Sequence, residues 1–151
     1  MKKFFLLLVI TLSCVSNLFA QDYQVNQKFV FHECLVLNRD FSIKEKIPSE
    51  SGDPMGLYIF TEIEDKKYIV VTIGQETMYE IQVVNTVNGE VENGSRIDMY
   101  QGGMHFQESI VVINVFLEFD TTKNTEIPEA ITIDVNNSPT FIQFKGLVPL
   151  S

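Results

Sequence analysis

The feature that most constrains the fold of this chain is a series of short segments in which apolar and polar residues alternate, separated by turn residues. Residues 78–87 show the pattern, and their apolar face consists of Tyr79, Ile81, Val83 and Val87. A period of two indicates a half-buried β-strand, because successive side chains of a strand point to opposite faces. We therefore predict that residues 21–151 form an all-β domain.

This pattern predicts about eight strands. Most connections between them have two to five residues, which favours antiparallel pairing of consecutive strands. The pair Gly102-Gly103 is interpreted as a turn that leads into the longest strand. The predicted strands are 25–37, 58–64, 67–73, 78–87, 96–101, 104–119, 130–135 and 140–147.

The longest predicted strand, 104–119, has an apolar middle that extends over both of its faces. Residues 110–117 are apolar except for Asn114. Such a strand is either covered on both sides or bent, so that it passes from one sheet into another. We therefore expect a single domain and prefer a two-sheet β-sandwich to a closed β-barrel.

The first 20 residues are predicted to be a signal peptide. Lys2 and Lys3 precede an apolar core at residues 4–12, and Ala20 provides a small residue at the cleavage position. The chain is thereby divided into a signal peptide, 1–20, and an all-β domain, 21–151. We expect this domain to be secreted to the periplasm or the cell surface of a bacterium.

Cys14 indicates an alternative processing route for the same segment. Residues 11–14 loosely resemble a lipobox, in which the cysteine is lipidated and becomes the new N-terminus, but Thr11 stands where such motifs carry leucine. A lipid anchor at Cys14 is thus the alternative to cleavage after Ala20. Both processing routes take the protein out of the cytoplasm.

The charge of the chain excludes some partners. The formal net charge is −9, and loss of the first 20 residues removes two lysines and no acid, which gives about −11. Such a surface repels phosphate backbones and anionic lipid headgroups. No segment has the roughly 20 apolar residues that a membrane-spanning helix needs. We therefore expect no nucleic-acid partner and no membrane span.

Cys34 is the only cysteine of the predicted domain, so an intramolecular disulfide is not available to it. His32 and Cys34 are two positions apart and are predicted to share one face of the first strand. Together with His105 they are the candidate ligands of a metal site or the groups of a thiol enzyme. Because free cysteines are usually buried, we interpret the pair as core and predict no metal, no cofactor and no catalytic residue.

Residues 38–56 form the longest predicted connection and contain two prolines and two glycines. A connection of this length is a candidate lid over a binding cavity. Its segment 42–47 is interpreted as a helical turn or an edge strand. We favour a surface crossover connection between sheets over a lid.

The sequence favours a non-enzymatic, exported binding or interaction module that recognises a protein or a glycan. The candidate binding surface consists of Tyr100, Met104 and Phe106, which cluster around the double glycine. One alternative is a carrier of a small apolar ligand with an internal β-barrel cavity. The remote alternative is a metal or thiol enzyme that uses His32, Cys34 and His105.

Overall fold

The computed structural model describes residues 25–49 and 52–150. Within these ranges the chain forms eleven β-strands and no helix. The predicted signal peptide, 1–20, and the candidate lipidation site, Cys14, lie outside the described residues. The strands are β1 Val25–Phe31, β2 Glu33–Asn38, β3 Ile43–Ile47, β4 Gly56–Ile63, β5 Lys66–Ile73, β6 Glu76–Val87, β7 Ser95–Phe106, β8 Ser109–Asp120, β9 Ala130–Val135, β10 Thr140–Lys145 and β11 Val148–Pro149.

The eleven strands belong to one antiparallel sheet that is not closed into a barrel. Their order across the sheet is β11-β1-β4-β5-β6-β7-β8-β9-β10-β2-β3, with β11 and β3 at its two ends. The predictions of an all-β, antiparallel and non-barrel fold are therefore confirmed. In place of the two sheets of a sandwich, the described residues form a single continuous sheet.

Three features raise the number of strands from the predicted eight to eleven. The predicted first strand, 25–37, is divided at His32 into β1 and β2, and the connection 38–56 contains the edge strand β3. The short strand β11 adds the third. The predicted turn at Gly102-Gly103 is wrong, because β7 passes through both glycines and the chain reverses after Phe106, where Gln107 has a φ of 56°.

The bend at His32 gives the sheet its curvature. His32 is the single residue between β1 and β2. These strands are second and tenth in the strand order, so the sheet must curve until they lie near each other. The His32 backbone N–H donates to the carbonyl of Lys145 at 3.1 Å, and its ring Nδ1 donates to the carbonyl of Gly146 at 2.9 Å. Gly146 bends the opposite strand at the same level with a φ of 64°, a conformation that favours glycine.

The inner face of the curled sheet holds the main hydrophobic core. Strands from both halves of the sheet contribute, and the rings of Phe31 and Phe144 lie 4.4 Å apart between their centroids. Side chains this tightly buried supply most of the stabilisation of a domain without disulfides. The largest fully buried side chains are Tyr58, Phe31, Phe144, Ile69, Ile81, Ile113, Leu117, Ile131, Ile133, Val71, Val115 and Pro128.

Two irregularities change which side chains face the core. Phe31 and Cys34 belong to the same buried cluster, although strict alternation predicts opposite faces for them. The prediction that His32 and Cys34 share a regular strand face is wrong, because the bend at His32 interrupts the alternation. In β6, a bulge between Val83 and Asn85 likewise turns Val87 away from the core face of Ile81.

Candidate functional site

His32, Cys34 and His105 occupy three different environments. His32 lies at the bend and donates to Gly146, Cys34 is fully buried, and His105 is exposed on β7 opposite Ile110. In the part of the chain that the structure describes, no group of three or more His, Cys, Asp or Glu residues is arranged to hold a metal ion. The candidate ligands and enzyme groups are thus not brought together.

Cys34 has the environment of a core thiol. It is 0% exposed and belongs to the main core cluster. Burial raises the pKa of the Cys34 thiol from 9.0 to about 11. The thiolate is the reactive form of cysteine, so burial and the raised pKa both oppose nucleophilic chemistry.

We expect native Cys34 to react with a thiol reagent at pH 8 at least about 100-fold more slowly than the unfolded chain. A pKa of about 11 leaves roughly 0.1% of the thiol ionised at this pH, against roughly 10% at the ordinary pKa of 9.0. Labelling is followed by mass spectrometry with and without urea. The variant Cys14→Ser makes Cys34 the only thiol of the full chain, and rapid native labelling would contradict its placement in the core.

Of the three residues of the predicted binding surface, two contact the core and one is exposed. Tyr100 and Met104 contact the main core cluster from the inner face of β7, and the Tyr100 ring lies 5.0 Å from that of Phe60. Burial raises the pKa of the Tyr100 hydroxyl. Phe106 is 58% exposed at the end of the β7–β8 hairpin. Of the three, Phe106 is the one that is available to a partner.

The outer face of β7 and β8, opposite the core, carries a run of side chains without Asp, Glu, Lys or Arg. Four consecutive cross-strand pairs on this face contain no Asp, Glu, Lys or Arg, and we call these eight residues the uncharged face. The pairs are Met99 with Phe116, Gln101 with Asn114, Gly103 with Val112, and His105 with Ile110.

The uncharged face combines apolar side chains with one central pair of amides. Ile110 is 67% exposed and Val112 is 42% exposed. The Gln101 side-chain Nε2 donates to Asn114 Oδ1 at 3.0 Å, which ties the two strands together in the middle of the face. Gly103 has no side chain, and the Ile110 side chain lies close to it, since a methyl group on Gly103 would be 3.0 Å from Cγ2 of Ile110. The face is partly apolar at this level.

Charged side chains adjoin the uncharged face at one end and along one side, where Asp134 of β9 is in register with Asn114 and is paired with Arg39. Beyond Met99, the next outward pair is Ile97 with the exposed Glu118. On the inner side of β7, the Arg96 Nε lies 3.2 Å from Asp98 Oδ1, and the Gly89 backbone N–H donates to the same oxygen at 3.0 Å. The hydrogen bond from Gly89 to Asp98 holds the connection between β6 and β7 against β7, and Arg96 lies beside the same carboxylate within β7.

A second group of apolar residues on the outer surface lies over β2 and β10, but there the side chains cover one another. Phe141 forms a small buried cluster with Leu35 and Leu37. The Phe41 ring stacks on Phe141 at 4.9 Å between centroids, and the guanidinium of Arg39 lies 4.4 Å above the same ring. The Arg39 Nη1 also lies 2.8 Å from Oδ1 of Asp134 on β9. Phe141 is thus covered within the chain, whereas Phe41 itself is 64% exposed.

The uncharged face was missed from the sequence because the double glycine was interpreted as a turn. With a break at Gly102-Gly103, the alternation of β7 is interrupted and its outer residues are not compared with those of β8. The available signal was the absence of charge at alternate positions from Met99 to His105. Continuous pairing over twelve residues of each strand turns that pattern into a surface.

Comparison of this chain with protein-family models, with curated proteins and with solved structures found no match. The described part of the chain contains no helix that is long and apolar enough to cross a membrane. The chemistry of the surface is therefore the basis for any functional proposal.

Proposed function

We propose that this protein is an exported, non-enzymatic interaction module that binds a protein or glycan partner through the uncharged face. Support for export comes from Lys2 and Lys3 before the apolar residues 4–12, followed by Ala20. The uncharged face itself is the observation that carries the proposal. Exposed apolar side chains grouped on one surface are typical of an interaction site, whereas scattered ones are not.

The uncharged face has the composition of a binding surface. Charged residues are depleted from the centres of protein interfaces, while apolar side chains and methionine are favoured there. Val112 and Ile110 supply exposed apolar area, and the amides of Gln101 and Asn114 supply donors and acceptors for a polar partner group. Phe106, from the sequence-predicted surface, is exposed at the adjoining end of the hairpin.

A carrier of a small apolar ligand is the second candidate, and buried polar atoms inside the sheet favour it. The hydroxyl of Tyr58 and Oε1 of Gln27 are buried without a hydrogen-bond partner in the described residues. Such atoms are unusual and mark places where water or a ligand is bound. The large side chains of the main core cluster occupy the same interior, and for this reason the interaction module is preferred.

The substitution Val112→Lys should abolish capture of the partner. A lysine in the middle of an apolar contact must be desolvated on binding, so we expect at least a tenfold loss of bound partner. The protein is immobilised and exposed to envelope proteins and glycans of the producing cells. Bound material is then quantified by mass spectrometry.

Val148→Lys is the matched control, because Val148 is 47% exposed on β11 and does not belong to the uncharged face. Wild type and Val148→Lys should capture the same partner. Equal capture by Val112→Lys would contradict the proposed face. Tight, saturable binding of an environment-sensitive apolar dye by wild type and by both variants would instead favour the carrier.

A further inference from the structure

We infer that the partner of the uncharged face is a glycan without net charge, which binds along a row of polar side chains that crosses four strands. This inference rests on the proposed function, because it names the class of partner that the same face binds. Three properties of the surface support a glycan as its occupant: the register of its polar side chains, the apolar side chains beside them, and its charge and size.

Four planar polar side chains stand in register across β6, β7, β8 and β9, and we call them the polar row. Asn85 is paired with Gln101, Gln101 with Asn114, and Asn114 with Asp134. Paired residues of neighbouring strands project from the same face of the sheet about 4.8 Å apart, so the polar row is about 14 Å long. It includes the central amide pair of the uncharged face and extends that face by one strand on each side.

The side chains of the polar row are held in place and retain hydrogen-bonding groups for a ligand. The Gln101 Nε2 donates to Asn114 Oδ1 at 3.0 Å, and the Arg39 Nη1 lies 2.8 Å from Asp134 Oδ1. Each side-chain amide has two N–H donors and an oxygen with two acceptor sites, which is more than one such bond uses. Neighbouring hydroxyl groups of a sugar each donate and accept, so a planar amide can bond to two of them at once. The fixed orientation of these groups lowers the entropic cost of binding.

Apolar side chains border the polar row on both of its sides. On one side, Val87 is paired with Met99, and Met99 is paired with Phe116. On the other side, Gly103 is paired with Val112, which is 42% exposed. A sugar ring has polar edges formed by its hydroxyl groups and apolar faces formed by its C–H groups. A polar row between apolar borders is complementary to both parts of such a ring.

The charge of the protein favours a glycan without acidic groups. Arg39 compensates the charge of Asp134, and the other members of the polar row are amides, so the row carries no net charge. The whole chain has a formal net charge of −9, which repels uronic acids and other anionic sugars. A neutral glycan meets no such repulsion, and it leaves no unpaired charge buried when it binds.

The size of the surface favours a glycan over a protein partner. The polar row is about 14 Å long, and the segment of β7 from Met99 to Gly103 spans about 14 Å across it, which gives roughly 200 Å². A stable protein interface covers about 800 Å² on each partner, about four times this area. A short oligosaccharide needs no larger contact. We expect a dissociation constant of about 0.1 to 1 mM, because a small contact without charged pairs binds weakly.

Titration of the protein expressed from its full 151-residue sequence with linear oligosaccharides tests the inference. The neutral probes are cellohexaose, laminarihexaose, maltohexaose, xylohexaose and chitohexaose, and the acidic probe is hexagalacturonic acid. Isothermal titration calorimetry over about 0.01 to 2 mM sugar should show saturable binding of at least one neutral probe. Hexagalacturonic acid should bind at least about tenfold more weakly than that probe.

Removal of the two central amides should abolish this binding. For the double variant Gln101→Ala with Asn114→Ala we expect at least about a tenfold loss of affinity, since each lost hydrogen bond weakens binding several-fold. Asn85→Ala removes only the exposed end of the polar row and should weaken binding about threefold, which provides a test should the double variant fail to fold. Asn124→Ala is the matched control, because it removes the same amide from the exposed connection between β8 and β9. Its affinity should equal that of the wild type.

The inference is overturned by a wild type that binds no neutral probe, by equal binding in the double variant, or by a preference for hexagalacturonic acid. Capture of a protein through Val112 without binding of a neutral probe would remove the glycan and leave the proposed function standing. Binding of a neutral probe that Val112→Lys and the double variant both abolish would support the two proposals together. The absence of both protein capture and glycan binding would overturn both.

Discussion

We expect Gly102→Ala to lower the free energy of unfolding by about 3 kcal/mol, whereas the adjacent Gly103→Ala should change it by less than about 1 kcal/mol. A methyl group on Gly102 would lie 2.3 Å from the Gln82 carbonyl oxygen and 2.6 Å from Cγ2 of Ile81. The carbonyl belongs to the neighbouring strand β6 and cannot move without opening the sheet. The substitution therefore separates β6 from β7 in the middle of both strands.

Gly103→Ala is the matched control because its methyl group would point to the other face of the same strand. Its nearest neighbour is Cγ2 of the exposed Ile110 side chain, at 3.0 Å, and a shift of that side chain by a few tenths of an ångström accommodates the methyl group. Neither glycine has a positive φ, so alanine meets no backbone strain at either position. Urea unfolding of the two variants measures the difference, and equal losses would contradict a continuous β7.

We expect Phe31→Ala to lower the free energy of unfolding by about 3–5 kcal/mol. Phe31 is 0% exposed at the end of β1, and its ring lies 4.4 Å from that of Phe144 on β10. Removal of the ring therefore opens a cavity where β1 packs against β10. Because typical domains are stable by only about 5–15 kcal/mol, this loss is a large part of the total.

Phe106→Ala is the control for this substitution, since it removes the same ring from an exposed position. We expect a change within about 0.5 kcal/mol, because Phe106 lies at the hairpin end outside the core clusters. Urea midpoints and the far-ultraviolet circular dichroism of both variants provide the measurement. A small loss in Phe31→Ala would show that the bend at His32 does not depend on this contact.

The uncharged face and the core are two sides of the same pair of strands. Ile113 and Val115 are fully buried on the inner face of β8, and Asn114 between them lies on the outer face. A rigid inner layer holds the outer side chains in a fixed arrangement, which lowers the entropic cost of binding a partner. The shape of this surface therefore depends on core packing.

The positions of His32 and Cys34 show that the conformation of a short motif depends on residues that are distant in the sequence. The spacing of the two residues predicted one shared strand face, but the bend at His32 separates them. The interpretation of Cys34 as a core residue agrees with its complete burial. The bend itself depends on the carbonyls of Lys145 and Gly146, more than 110 residues away along the chain, and local alternation contains no information about them.

The sequence by itself determined the class of the fold. Alternation with a period of two, turn residues and short connections were sufficient for an all-β, antiparallel fold, because each of these signals acts over a few neighbouring residues. The acidic composition supports the expectation that phosphate backbones and anionic headgroups are repelled.

Only the tertiary structure decided which faces are buried and which are exposed. Gly102-Gly103 is equally compatible with a turn and with close packing of strands. In the structure the Gln82 carbonyl approaches Gly102 closely, so here the glycines allow close packing. The uncharged face exists because β7 and β8 pair in one register over twelve residues. Pairing and curvature are long-range properties, so the surface that we propose for binding becomes visible only once the sheet is assembled.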